Sequence, residues 1–138
     1  MPNTIVESQT NKKNRPTTQP LVTIITPAYN RADYLRETIE SILQQDYPNV
    51  EYIVLDDGSK DNTVELLEEY TGRLIWESHK NMGEIRTVNK AYGMAKGEYI
   101  AVINSDDPLL PGAISAVVDT FLNNPDVLVV YPDWQYID

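Results

Sequence analysis

The chain has 138 residues, 41% of them hydrophobic, and no cysteine, which fits one ordered domain and excludes disulfides and thiolate metal sites. Its formal net charge of −10 at pH 7 argues against nucleic acid as a partner, and against a phosphorylated ligand unless a divalent cation mediates the contact. No apolar run approaches the roughly 18 residues that cross a bilayer, so we expect no transmembrane segment, with peripheral membrane association left open. The absence of cysteine suits a reducing compartment, and we expect a cytoplasmic location.

The chain begins with a polar segment, and regular elements follow it. We interpret residues 1–20, which are rich in Asn and Thr, as a flexible leader before a domain over 21–138. Short β-branched runs predict strands, and apolar residues at helical spacing predict helices. The predicted strands are 21–26, 50–55, 73–77, 99–103 and 127–131, and the predicted helices are 33–44, 62–72, 84–96 and 111–123.

The alternation of strands with helices of about 10–14 residues predicts the fold class. It indicates βαβ units and an α/β domain: a doubly wound, mostly parallel sheet with helices on both faces. In such sheets a ligand lies beyond the carboxyl ends of the strands, where the strand order reverses. The residues directly after each strand are therefore the candidates for function.

The turn after the first strand contains one residue suited to a flat ligand. Tyr29 is placed to stack on an aromatic ring, and the alternative is a side chain half-buried under the loop. We expect Pro27 to end the strand and Asn30 to cap the following helix. Asn62, with Glu65 three residues later, resembles a capping box at the start of the second helix.

Two acidic pairs follow strands of the same predicted sheet. Asp56 and Asp57 come after the second strand, and Asp106 and Asp107 after the fourth. Adjacent carboxylates repel unless a cation, a bound polar group or backbone donors offset the repulsion, although Asp57-Gly58 alone is more typical of a solvated turn. With strands one and four adjacent, both pairs meet at one crevice. Oxygen ligands of this kind suit Mg²⁺ or Mn²⁺, which bridges an acidic protein to a diphosphate.

The segment after the third strand carries weaker signals. Asn81 and Gly83 precede the third helix, and the alternative to a functional role for them is a plain loop and helix cap. His79 is the only histidine, and we expect it to be a surface loop residue because no nearby residue orients it.

Six short motifs, in order along the chain, resemble the N-terminal half of family 2 glycosyltransferases with the GT-A fold. They are 26–30 (TPAYN), 41–45 (SILQQ), 56–59 (DDGS), 81–83 (NMG), 97–100 (GEYI) and 105–107 (SDD) with 111–112 (PG). Each motif alone is weak, and the specificity lies in their order and spacing. The resemblance covers 21–138 and implies a GT-A, Rossmann-like half that binds a nucleotide-diphosphate sugar, with a UDP-sugar expected.

The resemblance also implies roles for individual residues. Tyr29 would stack on the nucleotide base, Asp57 would accept a hydrogen bond from that base, and Asp106 would contact the ribose. Asp107 would hold the metal, Mn²⁺ or Mg²⁺, on the diphosphate, as part of a DXD-like motif. The implied substrate-binding residues are Thr26, Pro27, Ala28, Tyr29, Asn30, Asp56, Asp57, Asn89 and Asp106.

The chain departs from the family pattern at three points. Asn104 stands at the first position of the DXD-like motif, and Val88 stands where an Arg often precedes the Asn at position 89. The family's acceptor half, with the carboxylate base of an inverting transfer, is expected beyond Asp138. We therefore expect the chain alone not to transfer sugar at a useful rate, and expect the strand at 127–131 to expose apolar surface.

Rival interpretations come from other functional classes. A receiver-type signalling domain needs an acidic pair after the first strand, where this chain has Pro-Ala-Tyr-Asn. A nucleotidyltransferase needs a Gly-rich basic loop at that place. A nucleotide-sugar-binding module without turnover remains the serious alternative to a transferase.

Overall fold

The computed structural model describes residues 19–131, which form four strands and four helices in strict alternation. The elements are β1 (Val22–Ala28), α1 (Ala32–Leu43), β2 (Val50–Asp56), α2 (Thr63–Glu68), β3 (Ile75–Ser78), α3 (Glu84–Met94), β4 (Tyr99–Val102) and α4 (Ala113–Asn123). Within this part of the chain, no helix has both the length and the apolarity to cross a membrane.

The four strands form one parallel sheet in the order β3-β2-β1-β4. The chain proceeds outward from β1 through β2 to β3 and then returns to place β4 on the other side of β1. The strand order therefore reverses between β1 and β4, as the predicted doubly wound fold requires. Crevices at such a reversal open beyond the carboxyl ends of the strands.

The central strand β1 is buried on both faces, and its alternating side chains pack into two cores. Ile24 belongs to the larger core, which includes Leu35 and Ile39 of α1. Ile25 belongs to a smaller core with Ala91 of α3 and the partly buried Met94. The helices thus cover both faces of the sheet, which confirms the predicted fold class.

Pro27 does not end the first strand, contrary to the sequence prediction. β1 continues to Ala28, and Pro27 lies opposite Leu55 in the register with β2. Alternate residues of a strand direct their backbone polar groups to the same side, and the carbonyl of Ile25 faces β4, where it accepts from the amide of Ile103. An N–H at position 27 would also face β4. Because β4 ends at Val102, opposite Ile25, the missing N–H of Pro27 costs the sheet no hydrogen bond.

The predicted helix caps are confirmed only for the position of Asn62, which is the N-cap residue of α2. The N-cap residues of α1 and α2 are Arg31 and Asn62, and neither makes a side-chain capping bond. Asp61 instead accepts from the amide of Thr63 at 3.0 Å. Asn30 lies at φ 53° and, as described below, its side chain binds another loop.

The fifth predicted strand, 127–131, is not formed. Residues 124–131 contain no strand, and Leu128 and Tyr131 are 89% and 86% exposed. The run VLVVY has high β-propensity, but a strand also needs a partner for its backbone groups, and none lies beside it in the described residues. The predicted apolar exposure is seen as far as Tyr131. Residues 1–18 of the predicted leader, and residues 132–138, lie outside the described part.

Candidate functional site

A cavity of about 540 Å³ opens at the carboxyl ends of β1, β2 and β4, a size typical of small-molecule sites. Residues from all four loops at this edge line it. They are Pro27, Ala28, Tyr29, Arg31, Asp57, Asn81, Gly83, Glu84, Asn104, Ser105 and Asp106. The position matches the prediction that the segments after the strands converge where the strand order reverses.

Tyr29 borders the cavity with 43% of its surface exposed. It follows the end of β1 at Ala28, and the next residue is fixed to a second loop. The amide of Asn30 donates to Ser59 Oγ at 2.8 Å, and Asn30 Oδ1 accepts from the amide of Lys60 at 2.8 Å. Tyr29 therefore lies at the cavity on a fixed backbone, with somewhat more than half of its surface covered.

Asp56 and Asp57 are both buried, but they occupy different environments. Asp56 is fully buried and accepts hydrogen bonds from the amides of Gly58 and Ser59, both at 3.2 Å, and from Ser78 Oγ at 2.7 Å. These bonds hold the turn after β2. Asp56 therefore supports the loop and does not line the cavity.

Asp57 lines the cavity and holds the start of α3. Its Oδ1 accepts from the amide of Met82 at 2.7 Å, and its Oδ2 accepts from the amide of Gly83 at 3.0 Å. Backbone donors thus offset the repulsion between the adjacent carboxylates, which is one of the three possibilities that the sequence left open. Each oxygen retains a second lone pair.

The close approach of the two loops depends on Gly58. Its φ is +78°, and a Cβ there would lie 2.7 Å from the backbone nitrogen of Asn81 and 3.0 Å from the carbonyl oxygen of His79. The Asp57-Gly58 turn is therefore packed against the loop after β3, and only glycine fits this conformation and this contact.

The segment after β4 is fastened to α1 by its backbone. Thr38 Oγ1 donates to the carbonyl of Ser105 at 3.1 Å, and Ser41 Oγ accepts from the amide of Leu109 at 2.9 Å. Gln45 Nε2 donates to the carbonyl of Leu110 at 2.9 Å. The motif at 41–45 therefore serves to position the acidic segment.

The side chains of the second acidic pair remain accessible. Asp106 and Asp107 are both exposed. Asp106 Oδ2 lies 3.9 Å from Nε of Arg31, and Asp107 Oδ2 accepts from Asn104 Nδ2 at 2.8 Å. Asn104 at the first position of the DXD-like motif thus orients Asp107.

Comparison with known proteins assigns the chain to a family. The model of glycosyl transferase family 2 matches residues 23–136, most of the chain. This chain belongs to glycosyl transferase family 2.

Relatives and solved structures agree with this assignment. An uncharacterized glycosyltransferase of Rickettsia typhi is 39% identical over 124 residues, which cover 88% of this chain and 39% of the relative. S. aureus TarS in complex with UDP-GlcNAc matches with a TM-score of 0.69 and 26% identity, covering 76% of this chain and 32% of that one. Mannosyltransferase PcManGT from Pyrobaculum calidifontis, with GDP-Man and Mn²⁺, has a TM-score of 0.63 and 28% identity, with 78% and 33% covered. The chain thus spans about two fifths or less of the length of these proteins.

Four residues predicted to bind substrate in this family 2 domain do not line the cavity: Thr26, Asn30, Asn89 and Asp56, which holds the turn after β2 as described above. Thr26 is buried, and its hydroxyl lies 3.1 Å from the hydroxyl of Tyr52; burial raises the pKa of Tyr52 above its ordinary value. The side chain of Asn30 serves the loop contact described above. Asn89 lies on the exposed surface of α3, outside the residues that form the cavity wall.

His79 is not the surface residue that the sequence predicted. Its side chain is only 13% exposed, and Nδ1 lies 3.6 Å from Asp57 Oδ1 and 3.0 Å from the carbonyl oxygen of Lys80. Nε2 is buried and has no hydrogen-bond partner among residues 19–131. The contact arises because the loop after β3 folds over Asp57, a tertiary arrangement with no local sequence signal.

The acidic segment fits one kind of metal site. No group of three or more His, Cys, Asp or Glu residues gathers as a metal cage in residues 19–131. Mg²⁺ needs no such cage, because it is commonly held by one or two carboxylates together with phosphate oxygens and water. The exposed Asp107, with Asp106 beside it, provides ligands of that type.

Sequence reasoning missed two charged residues of the cavity wall. Arg31 and Glu84 both line the cavity. Arg31 directly follows the motif at 26–30, and Glu84 directly follows the motif at 81–83. The direction of a side chain at a loop-to-helix junction depends on the loop geometry, which the motifs alone do not specify.

Proposed function

We propose that this domain binds a nucleoside diphosphate sugar in the cavity and takes part in transferring the sugar to an acceptor hydroxyl with inversion. The observation that carries the proposal is the convergence of Tyr29, Asp57 and Asp106 on one cavity of about 540 Å³. The complexes of TarS with UDP-GlcNAc and of PcManGT with GDP-Man support the same ligand class.

The nucleoside is assigned to the side of the cavity formed by Tyr29 and Asp57. The exposed ring of Tyr29 offers an apolar face for base stacking. Asp57 offers a free lone pair on each oxygen and is held by two backbone amides, which suits recognition of a base N–H. We infer that the base is uracil from the family resemblance, and a UDP-sugar is accordingly the expected donor.

The ribose and diphosphate are assigned to the segment after β4. Asp106 lines the cavity and is the expected ribose contact, whereas Asp107 is the expected ligand of Mn²⁺ or Mg²⁺. Such an ion, when bound, neutralises charge on the diphosphate and stabilises it as a leaving group. The role of the protein is to hold these carboxylates on a backbone that Thr38, Ser41 and Gln45 keep in place.

The acceptor side requires a further group. Inversion needs a base on the face of the sugar opposite the departing diphosphate, and we expect that base outside residues 19–131. A cytoplasmic location, which a cysteine-free sequence suits, completes the proposal. A nucleotide-sugar-binding module without turnover is the outcome that a transfer assay would distinguish.

A ligand panel tests the proposal. Calorimetric titration of UDP, GDP and ADP with Mn²⁺ present should give the tightest binding for UDP. Asp106→Asn should weaken that binding, and the matched change Asp126→Asn, at a position that does not line the cavity, should leave it unchanged. Absence of binding for all three nucleotides would refute the proposal. Transfer from UDP-sugars to a panel of acceptors then separates a transferase from a binding module.

A further inference from the structure

Some of the backbone amides at the helix N-termini beside the cavity are already bound by side chains of this protein. A helix N-terminus is ordinarily a ready site for phosphate, because its first amides lack partners. At the start of α1, the amide of Ala32 donates to Asp61 Oδ2 at 3.1 Å. Directly before α3, the amides of Met82 and Gly83 both donate to Asp57. An anionic ligand would compete with Asp57 and Asp61 for these amides.

The cavity wall offers one positively charged side chain among the described residues. Three of its charged members, Asp57, Glu84 and Asp106, are acidic, and Arg31 is the only basic one. Lys90 on α3 is not part of the wall, and its ammonium is paired with Glu77 Oε1 at 2.5 Å.

Arg31 combines a fixed backbone with an uncommitted side chain. Its amide donates to Thr63 Oγ1 at 2.9 Å, and its carbonyl accepts from the amide of Leu35 at 2.9 Å. The guanidinium approaches Asp106 only to 3.9 Å, and both side chains are more than 40% exposed. An exposed ion pair at that distance contributes little free energy. The guanidinium can therefore exchange Asp106 for another anion at little cost.

We propose that Arg31, beside Asp106, binds the diphosphate of the donor, an assignment that rests on the proposed function. The planar guanidinium presents paired N–H donors that match phosphate oxygens. The pair with Asp106 keeps the guanidinium at the cavity in the free protein, and the ligand replaces or shares that contact. Arg31 thereby offsets negative charge that a net-acidic cavity would otherwise repel.

Nucleoside and nucleotide probes separate this role from a structural one. Affinities for UDP and for uridine are measured by ligand-observed NMR titration with Mn²⁺, on the wild type and on Arg31→Gln, Arg31→Lys and Arg36→Gln. Arg36, on α1, is the matched control, because like Arg31 it is an exposed arginine paired with a carboxylate, here Glu69, and it lies outside the cavity wall. If the wild type binds GDP more tightly than UDP, the same measurements are made with GDP and guanosine in place of UDP and uridine.

The expected result is a loss confined to the charged ligand. Arg31→Gln should weaken UDP binding by about 10- to 100-fold and leave uridine binding unchanged, Arg31→Lys should recover part of the loss, and Arg36→Gln should match the wild type. Unchanged UDP binding in Arg31→Gln would overturn this assignment while the proposed function stands. Equal losses for UDP and uridine would overturn it in favour of a structural role. A wild type that binds neither nucleotide would overturn the proposed function and the assignment together.

Discussion

The two acidic turns at the edge of the sheet differ in how their carboxylates are held. Asp57 is 4% exposed, and each of its oxygens accepts a backbone amide from the start of the α3 segment. Asp106 and Asp107 are exposed, and their contacts are one side-chain amide and one distant guanidinium. In the second turn, by contrast, it is the backbone that is fixed, through Thr38 and Ser41 of α1. One turn therefore presents a rigid carboxylate, and the other presents adjustable carboxylates on a rigid frame.

This difference suits two kinds of recognition. A planar base has fixed donors, and a rigid acceptor recognises it without paying side-chain entropy on binding. A hydrated cation and a diphosphate require ligands that reorient as water is displaced. The contrast also implies that substitutions in the first turn affect folding and binding together, whereas those in the second affect binding alone.

The largest expected effect is on stability, from Asp57→Ala. The substitution leaves the amides of Met82 and Gly83 without their charged acceptor and loosens the loop over Asp57. Because hydrogen bonds to charged groups contribute about 1.5–3 kcal/mol each, we expect the free energy of unfolding to fall by about 3 kcal/mol in urea denaturation.

The control for that prediction is the same change in the second turn. Asp106→Ala removes an exposed carboxylate and should alter the free energy of unfolding by less than about 0.5 kcal/mol. Similar losses in the two variants would show that the two turns are not held differently.

The next largest effect is expected on metal-dependent binding, from Asp107→Asn. The substitution keeps the shape of the side chain but removes a charge that a hard cation requires. UDP affinity should fall by about tenfold or more with Mn²⁺ and change little without it, as measured by calorimetry. Asp119→Asn on α4 provides the control, and equal UDP affinity of the wild type with and without Mn²⁺ would exclude the metal role.

A somewhat smaller effect is expected from Tyr29→Ala, on the rigid side of the cavity. Base stacking on an aromatic residue contributes roughly 1–3 kcal/mol, so UDP affinity should fall by about tenfold or more. Tyr29→Phe should keep most of the affinity, and Tyr34→Ala, at an exposed position on α1, should keep all of it. An equal loss in the Phe and Ala variants would assign the effect to the hydroxyl group rather than to stacking.

The sequence predicted the frame of this site better than its details. Apolar β-branched runs such as Val50–Asp56 and helical spacing such as that of Leu35, Ile39 and Ile42 are local patterns, so the strands and helices were predictable. The adjacency of β1 and β4 was expected from the topology of doubly wound sheets. The failures have tertiary causes. Whether a run such as 127–131 forms a strand depends on a partner, and a local pattern cannot supply one.

The details of the site depended on contacts between distant loops. Asp56 and Asp57 are equivalent in sequence, yet one supports the turn and the other borders the cavity, because the loop after β3 supplies amides to Asp57 alone. The burial of His79 follows from the same loop contact. Residues separated by about 25 positions determine these environments, and no motif encodes their meeting.

The smallest expected effect concerns the pH dependence of stability. It tests the link between the loop after β1 and the loop after β2. Asp61 joins them, since Oδ2 accepts from the amide of Ala32 and Oδ1 from the amide of Thr63. Burial acts to raise the pKa of Asp61, but the hydrogen bonds from the Thr63 hydroxyl and from these amides outweigh it and hold the pKa below its ordinary value. A carboxyl group whose pKa is lowered in the folded state stabilises the fold above its unfolded pKa, and this contribution is lost as the pH falls through the folded value. The urea midpoint of the wild type should therefore exceed that of Asp61→Asn at pH 7, and the difference should shrink as the pH falls below about 4. A difference that stays constant down to pH 2.5, or one that grows, would show that the ionised form of Asp61 is not what holds the two loops together.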